Sequence, residues 1–227
     1  MQTRADFLAT GALAALAGTP PPKPSASPSY PPLAFDLAAF DAILQTPAAH
    51  RHLFAAQRLN GGQVLETMQA VIDAYTSTGA DASTVKPVAV LYHGVSLLVA
   101  LDDVAWNRYV IPYPAKDFKG AKEMAGDVAS IYQAGGKGNP CYHRTGKDDD
   151  ISVERLVLER AHFFVCNRAL QGVSGMFARA SKRNKVEVYN ELSAHLVPGA
   201  TLVPAGIWAV HAIQERKYTY MQVNLQP

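Results

Sequence analysis

The chain has 227 residues, of which 48% are hydrophobic, and its formal net charge at pH 7 is +2. This length supports one substantial core plus an additional segment, and the composition is typical of a globular protein. The small net charge, without a long run of Lys or Arg, argues against DNA or RNA as a partner.

Residues 1–17 have the layout of an export signal. They combine one arginine, an uncharged run of small and apolar residues, and the small-residue triplet Ala15-Leu16-Ala17. The stretch from Thr3 to Leu8 resembles a twin-arginine signal in which Ala5 replaces the second arginine, so the route is either twin-arginine or general secretory. The apolar run is too short for a membrane span. We predict an exported, periplasmic protein without a stable membrane span after signal removal; a disordered or helical extension is the alternative.

Residues 18–33 predict an extended linker. The stretch at 19–32 reads TPPPKPSASPSYPP and contains seven of the 15 prolines. Proline at this density prevents the propagation of helix or sheet. We therefore place the folded domain at 34–227.

The first half of this domain contains the clearest amphipathic helix. It follows a short predicted strand at 52–56 and the turn Asn60-Gly61-Gly62, and its apolar face comprises Val64, Leu65, Met68, Val71, Ile72 and Tyr75. The run PVAVLY at 87–92 predicts a strand that is buried on both faces, as in parallel sheets. The pattern then predicts, in order, a helical segment at 95–106, a loop at 109–118, a helix at 121–133 and a long polar connection at 134–150.

The second half repeats strand and helix in alternation. An acidic run at 148–150 precedes a predicted helix, and the carboxylates suit its positive end better than they suit a metal site. The remaining predicted elements are a strand at 162–166, a helix with Leu170, Val173 and Phe177 on one face, a helix at 185–195, a strand at 200–203, a helix with Ile207, Val210 and Ile213 on one face, and a strand at 218–223. This order predicts an α/β fold: about five mainly parallel strands with helices on both faces, in flavodoxin-like layers.

Cys166 is the leading candidate for a chemical site. It ends the strand HFFVC and stands just before a helix, so its thiol lies where parallel-sheet proteins place their chemistry. A helix N-terminus stabilises a thiolate, the reactive form of cysteine. The alternative is an inert, buried thiol. The second cysteine, Cys141, has neither a disulfide framework nor a zinc spacing around it.

His93 is the second predicted catalytic residue. It follows the strand at 87–92, so its ring and the Cys166 thiol are expected at the same edge of the sheet, where a histidine promotes thiolate formation. We expect Asp102 or Asp103 to orient His93. A turn histidine before Gly94 is the alternative.

Asn167, Arg168 and Gly206 complete the predicted binding residues at this edge. Asn167 and Arg168 follow Cys166 and offer donors to an anionic group, and Gly206 ends the turn after the strand at 200–203. We predict no metal site and no cofactor: His50 and His52 are assigned to opposite faces of their strand, and no metal-binding or phosphate-loop motif is present.

Four stretches of the chain resemble the DsrE/DsrF-like family of sulfur-relay and intracellular sulfur-oxidation proteins, in particular its exported branch. Three of them read VAVLYHGVSLLVALDDVAWNRY at 88–109, FVCNRALQG at 164–172 and LVPAGIWAVHAIQERKYTYMQV at 202–223; the fourth is the predicted strand and helix at 50–75. The resemblance covers roughly the region after the linker and implies a small parallel α/β domain that assembles into oligomers.

The same resemblance implies a role for Cys166. In sulfur-relay members of the family, a cysteine at the end of a central strand carries a persulfide, and Cys166 stands at the corresponding place. The implied function is an exported sulfur carrier or sulfurtransferase that forms a homo-oligomer and exchanges sulfur with a donor or acceptor protein. Cys141 has no family counterpart and is either a resolving thiol or without a role. The alternative function is a non-catalytic oligomeric module that binds a small molecule or a redox partner.

Overall fold

The five strands form one parallel sheet in the computed structural model, which describes residues 29–113, 137–143 and 151–223. The strands are β1 (His50–Ala56), β2 (Val85–Leu91), β3 (His162–Cys166), β4 (Ala200–Val203) and β5 (Thr219–Val223), in the spatial order β4-β3-β2-β1-β5. Every neighbouring pair is parallel. The predicted fold class is therefore confirmed.

Seven helical segments are described. They are α1 (Leu37–Gln45), α2 (Gln63–Ser77), α3 (an α-turn at Asp103–Ala105 continued by a π-turn at Trp106–Val110), α4 (Val153–Leu158), α5 (Asn167–Ser181), α6 (Lys185–Ala194) and α7 (Gly206–Glu215). Short 3-10 turns occur at Asn60–Gly62, Ala82–Thr84 and Ser96–Ala100. Side-chain oxygens of Asp36, Ser152 and Asn184 accept backbone N–H groups at the starts of α1, α4 and α6.

Helices cover both faces of the sheet, because a parallel sheet is buried on both sides. Alternate residues of one strand enter different cores: Phe163 joins the core that contains α2, α5 and α6, and Phe164 joins the core beneath α1 and α7. None of the helices within the described ranges has the length and apolar composition needed to cross a membrane.

The element boundaries differ from the predicted ones mainly at turns. Strand β2 begins at Val85 and includes Pro87, which is tolerated because only β1 neighbours this part of the strand; pairing with β3 begins at Val88. The loop predicted from Tyr109 is wrong at its start, since Tyr109 belongs to the π-turn of α3. The export signal, the predicted helix at 121–133 and the acidic run at 148–150 lie outside the described residues.

Candidate functional site

Cys166 is the last residue of β3 and the N-cap of α5, so its predicted position is confirmed. The backbone N–H of Ala169 donates to the Cys166 sulfur, with an N···S distance of 3.4 Å. This places the sulfur where serine or threonine oxygens usually cap a helix. The residue is 5% exposed, and its thiol is free. Whether it reacts stays a prediction.

Gly206, the first residue of α7, packs directly against the ends of β2 and β3. A Cβ atom at this position would lie 2.0 Å from the Cβ of Tyr92 and 3.2 Å from the Cβ of Cys166. Only glycine fits such an approach without a shift of the backbone. Gly206 therefore closes the packing around Cys166, and it offers no side chain to a ligand.

Tyr92 forms part of the same edge. Its hydroxyl accepts a hydrogen bond from the side-chain amide of Gln57, which follows β1. Burial raises the pKa of the Tyr92 phenol, the Gln57 hydrogen bond opposes this shift, and the neighbouring phenol of Tyr220 adds to it. The group is a neutral hydrogen-bonding phenol at neutral pH.

His93 is exposed, and its hydrogen bonds to the described residues are made by its backbone. Its carbonyl accepts from the hydroxyl of Ser96 at 3.0 Å, and its N–H donates to the same hydroxyl at 3.3 Å. Within the described residues its ring has no hydrogen bond or ion pair. Among the described residues, therefore, no hydrogen bond or ion pair orients the His93 imidazole towards Cys166.

Asp102 and Asp103 bind other histidines, so the prediction that one of them orients His93 is wrong. The carboxylate of Asp102 lies 2.8 Å from Nδ1 of His195, at the end of α6. The carboxylate of Asp103 lies 2.9 Å from Nε2 of His143. Both pairs join segments that are distant in sequence, and they act as tertiary contacts of α3.

Asn167 and Arg168 occupy the first turn of α5 but face different surroundings. Asn167 is buried, and its carbonyl oxygen accepts a 2.7 Å hydrogen bond from the hydroxyl of Tyr189 on α6. Arg168 is exposed. Asn167 thus holds α6 against α5, and only Arg168 is free to contact an external group.

The segment before α1 contacts the domain earlier than the boundary at residue 34. The hydroxyl of Tyr30 donates to the carbonyl of Gln171 on α5 at 2.7 Å. Five residues later, Phe35 packs against Trp208 on α7, with ring centroids 5.3 Å apart. The segment therefore passes from one helical layer to the other near the starts of α5 and α7, the helices that begin beside Cys166.

Cys141 lies in a different environment from Cys166. It is buried beside Gly62, where a Cβ atom would lie 3.4 Å from the sulfur, and it forms no disulfide. Burial raises the pKa of the Cys141 thiol to about 12. This thiol is neutral at ordinary pH, and it is therefore a poor nucleophile.

A second polar region at the opposite end of the sheet was not predicted. The ring of His50 stacks on Tyr75 with centroids 4.0 Å apart, and the ring of His52 lies 5.3 Å from the same tyrosine. The assignment of His50 and His52 to opposite faces is wrong, since residues two apart in a strand share a face. In the described ranges, no three His, Cys, Asp or Glu side chains are grouped to hold a metal ion.

No family model matches the chain, and no curated protein matches it. Among solved structures, it is similar to the protein of unknown function MTH1491 from Methanobacterium thermoautotrophicum, at 15% sequence identity and a TM-score of 0.39. The similarity covers 77% of this chain and 99% of that one. This likeness assigns neither a family nor a function, and the relation to the DsrE/DsrF-like proteins stays a prediction.

Proposed function

We propose that the protein carries or transfers sulfane sulfur as a persulfide on Cys166. The supporting observation is the place of the thiol at the end of β3, where the N–H of Ala169 donates to its sulfur at the N-terminus of α5. A backbone donor and the positive end of a 15-residue helix both favour an anionic sulfur. The resemblance to sulfur-relay proteins favours the same chemistry.

The proposed step is a thiol exchange. The Cys166 thiolate attacks the terminal sulfur of a donor persulfide; the donor S–S bond breaks, a new S–S bond forms on Cys166, and the donor leaves as a thiolate. The transferred sulfur keeps its proton, and the exchange between the donor and Cys166 involves no net oxidation or reduction. A thiol of the acceptor then repeats the exchange and regenerates Cys166.

The 5% exposure of Cys166 sets a condition on this exchange. Gly206 packs against the Cβ of Cys166, so the sulfur accepts either a small donor or one admitted by movement of the first turns of α5 and α7. Export and homo-oligomer formation belong to the same proposal, and they are supported by residues 1–17 and by the family resemblance respectively.

The test is intact-mass analysis after incubation with a low-molecular-weight persulfide. We expect the wild-type protein to gain one sulfur atom and Cys166→Ser to gain none. Serine is a good N-cap, so this variant keeps the start of α5 intact. Cys141→Ser is the matched control and should retain the adduct. An adduct that survives in Cys166→Ser would refute the proposal.

A second candidate function is a non-catalytic module that binds a small molecule or a redox partner at this edge. The observation that favours it is the close packing of Gly206 on Tyr92 and Cys166, which leaves little of the thiol accessible. It predicts that Cys166 reacts with a thiol reagent no faster than free cysteine does. A faster rate would exclude it.

A further inference from the structure

Strand β5 ends the sheet with one side of its backbone unpaired. It pairs in parallel with β1 along its whole length, from Thr219 to Val223, and it stands last in the spatial order of the strands. Within the described ranges, no backbone hydrogen bond joins the other side of β5 to a further segment. Such an edge is a template for another strand, because its unpaired N–H and C=O groups point outward in a regular row.

The side chains of β5 are exposed on both faces of the sheet. Tyr220 is 43% exposed and Met221 is 47% exposed. Because consecutive residues of a strand point to opposite faces, these two side chains leave an apolar surface on each side of the sheet. Thr219 and Gln222 are exposed as well. The strand therefore combines an open backbone edge with exposed apolar side chains on either face.

The opposite edge of the sheet, at β4, is protected in ways that β5 is not. Strand β4 has only four residues, and Pro198 and Pro204 flank it within two positions. Short length, proline and charged side chains are the usual features that keep an edge strand from pairing. Strand β5 has five residues, none of which is charged or a proline. The edge at β4 is therefore blocked, and the edge at β5 is available.

We propose that β5 pairs antiparallel with β5 of a second copy of the chain. Five strands from each copy then form one continuous sheet of ten, related by a twofold axis perpendicular to the sheet. The fullest overlap centres on Met221, so that the two Met221 residues lie opposite each other and each Thr219 lies opposite a Val223. This contact rests on the homo-oligomer of the proposed function, and it is independent of the sulfur chemistry at Cys166.

A second copy suits this edge because the strand is complementary to itself. The strand is uncharged, so the pairing brings no like charges together. The nearest charged residue, Lys217, is two positions before β5, and antiparallel pairing places the two lysines at opposite ends of the contact. The contact also uses the open edge of each copy once. The outer edges of the dimer are then the two protected β4 strands, which closes the assembly at two copies.

Sedimentation velocity of the full chain at a series of concentrations tests the association. We expect a dimer with a dissociation constant of about 1 to 50 μM, because five residues from each strand form a small interface. Met221→Lys should weaken it at least about tenfold, since two like charges would face each other at the axis. Leu158→Lys is the matched control: Leu158 is 77% exposed but ends α4, and this variant should dimerise as the wild type does. A wild-type monomer at about 200 μM, or an equal loss in both variants, would overturn the proposal.

Cysteine substitutions test the antiparallel register. Opposite Cα atoms of an antiparallel pair are about 4.5 to 5.5 Å apart, which suits a disulfide, so Met221→Cys should form a covalent dimer under mild oxidation. Thr219→Cys should not, because four positions along the strand separate its two copies by about 14 Å. Equal covalent dimer from both variants would contradict the register. Cys166→Ser leaves β5 unchanged and should dimerise as the wild type does, so this test and that of the sulfur proposal can fail separately.

Discussion

The two ends of the sheet differ in how tightly they are packed. At the carboxyl end, Cys166 is buried, Gly206 packs against both Cys166 and Tyr92, and the Cys166 sulfur has a backbone partner. At the amino end, an open groove is lined by residues of β1 and β5 together with Tyr75 and Lys217, and no described residue satisfies the nearby Nε2 of His52. The closed end and the open end need different experiments: the first is tested by disturbing its packing, the second by changing the pH.

The largest expected effect comes from Gly206→Ala at the closed end. The new methyl group would lie 2.0 Å from the Cβ and 2.8 Å from the Cα of Tyr92, so either the strand end or α7 must move. We expect the free energy of unfolding to fall by about 3 to 4 kcal/mol, at the upper end for overpacked sites. Urea denaturation measures this change.

Gly172→Ala is the control for this substitution. Gly172 lies within α5, and a Cβ atom there meets nothing within 4 Å. Because alanine favours the helix, we expect stability to rise by about 0.5 to 1 kcal/mol. If Gly206→Ala lowered the free energy of unfolding no more than Gly172→Ala does, the carboxyl end of the sheet would not be closely packed.

An intermediate effect is expected from pH at the amino end, through His162. Burial, and next the charge of Lys86, lower the pKa of His162 to about 4 from 6.5. Between these values the unfolded chain binds a proton that the folded chain does not. The contribution of His162 to stability is therefore complete above pH 6.5, and about 3 kcal/mol is lost as the pH falls from 6.5 to 4.

His162→Asn should flatten this pH dependence. The measurement is the free energy of unfolding in urea at a series of pH values between 7 and about 4. His211→Asn replaces an exposed histidine on α7 and should leave the wild-type slope unchanged. A His162→Asn profile as steep as that of the wild type would assign the acid sensitivity to other groups.

The strands were predictable because their signals are local. The runs at 162–166 and 200–203 match β3 and β4, and the strand predicted at 218–223 matches β5 within one residue. Strand β1 was predicted two residues short, since its first residues, His50 and Arg51, are polar. A continuous apolar run indicates a buried parallel strand without any knowledge of its neighbours. Polar residues at the end of a strand carry no such signal, so the strand is predicted too short.

The candidate site was predictable only in part. The position of Cys166 depends on a strand and a helix that adjoin in sequence, and it was found. The partner of Asp102 depends on how the end of α6 docks beside α3, 93 residues away, and periodicity carries no information on this. The pairing of His50 with His52 could have been found, because residues two apart in a strand lie on one face.

The smallest expected effect comes from Tyr30→Phe, which tests whether the segment before α1 restricts access to Cys166. The change removes the 2.7 Å hydrogen bond to the carbonyl of Gln171 and keeps the ring on Tyr189, so we expect a loss of about 1 kcal/mol. Tyr142→Phe is the control, since no described residue bonds its hydroxyl, and it should be neutral. If the segment covers the thiol, Tyr30→Phe also speeds the labelling of Cys166 by a thiol reagent. Equal labelling rates in the two variants would show that the segment before α1 does not restrict access to the sulfur.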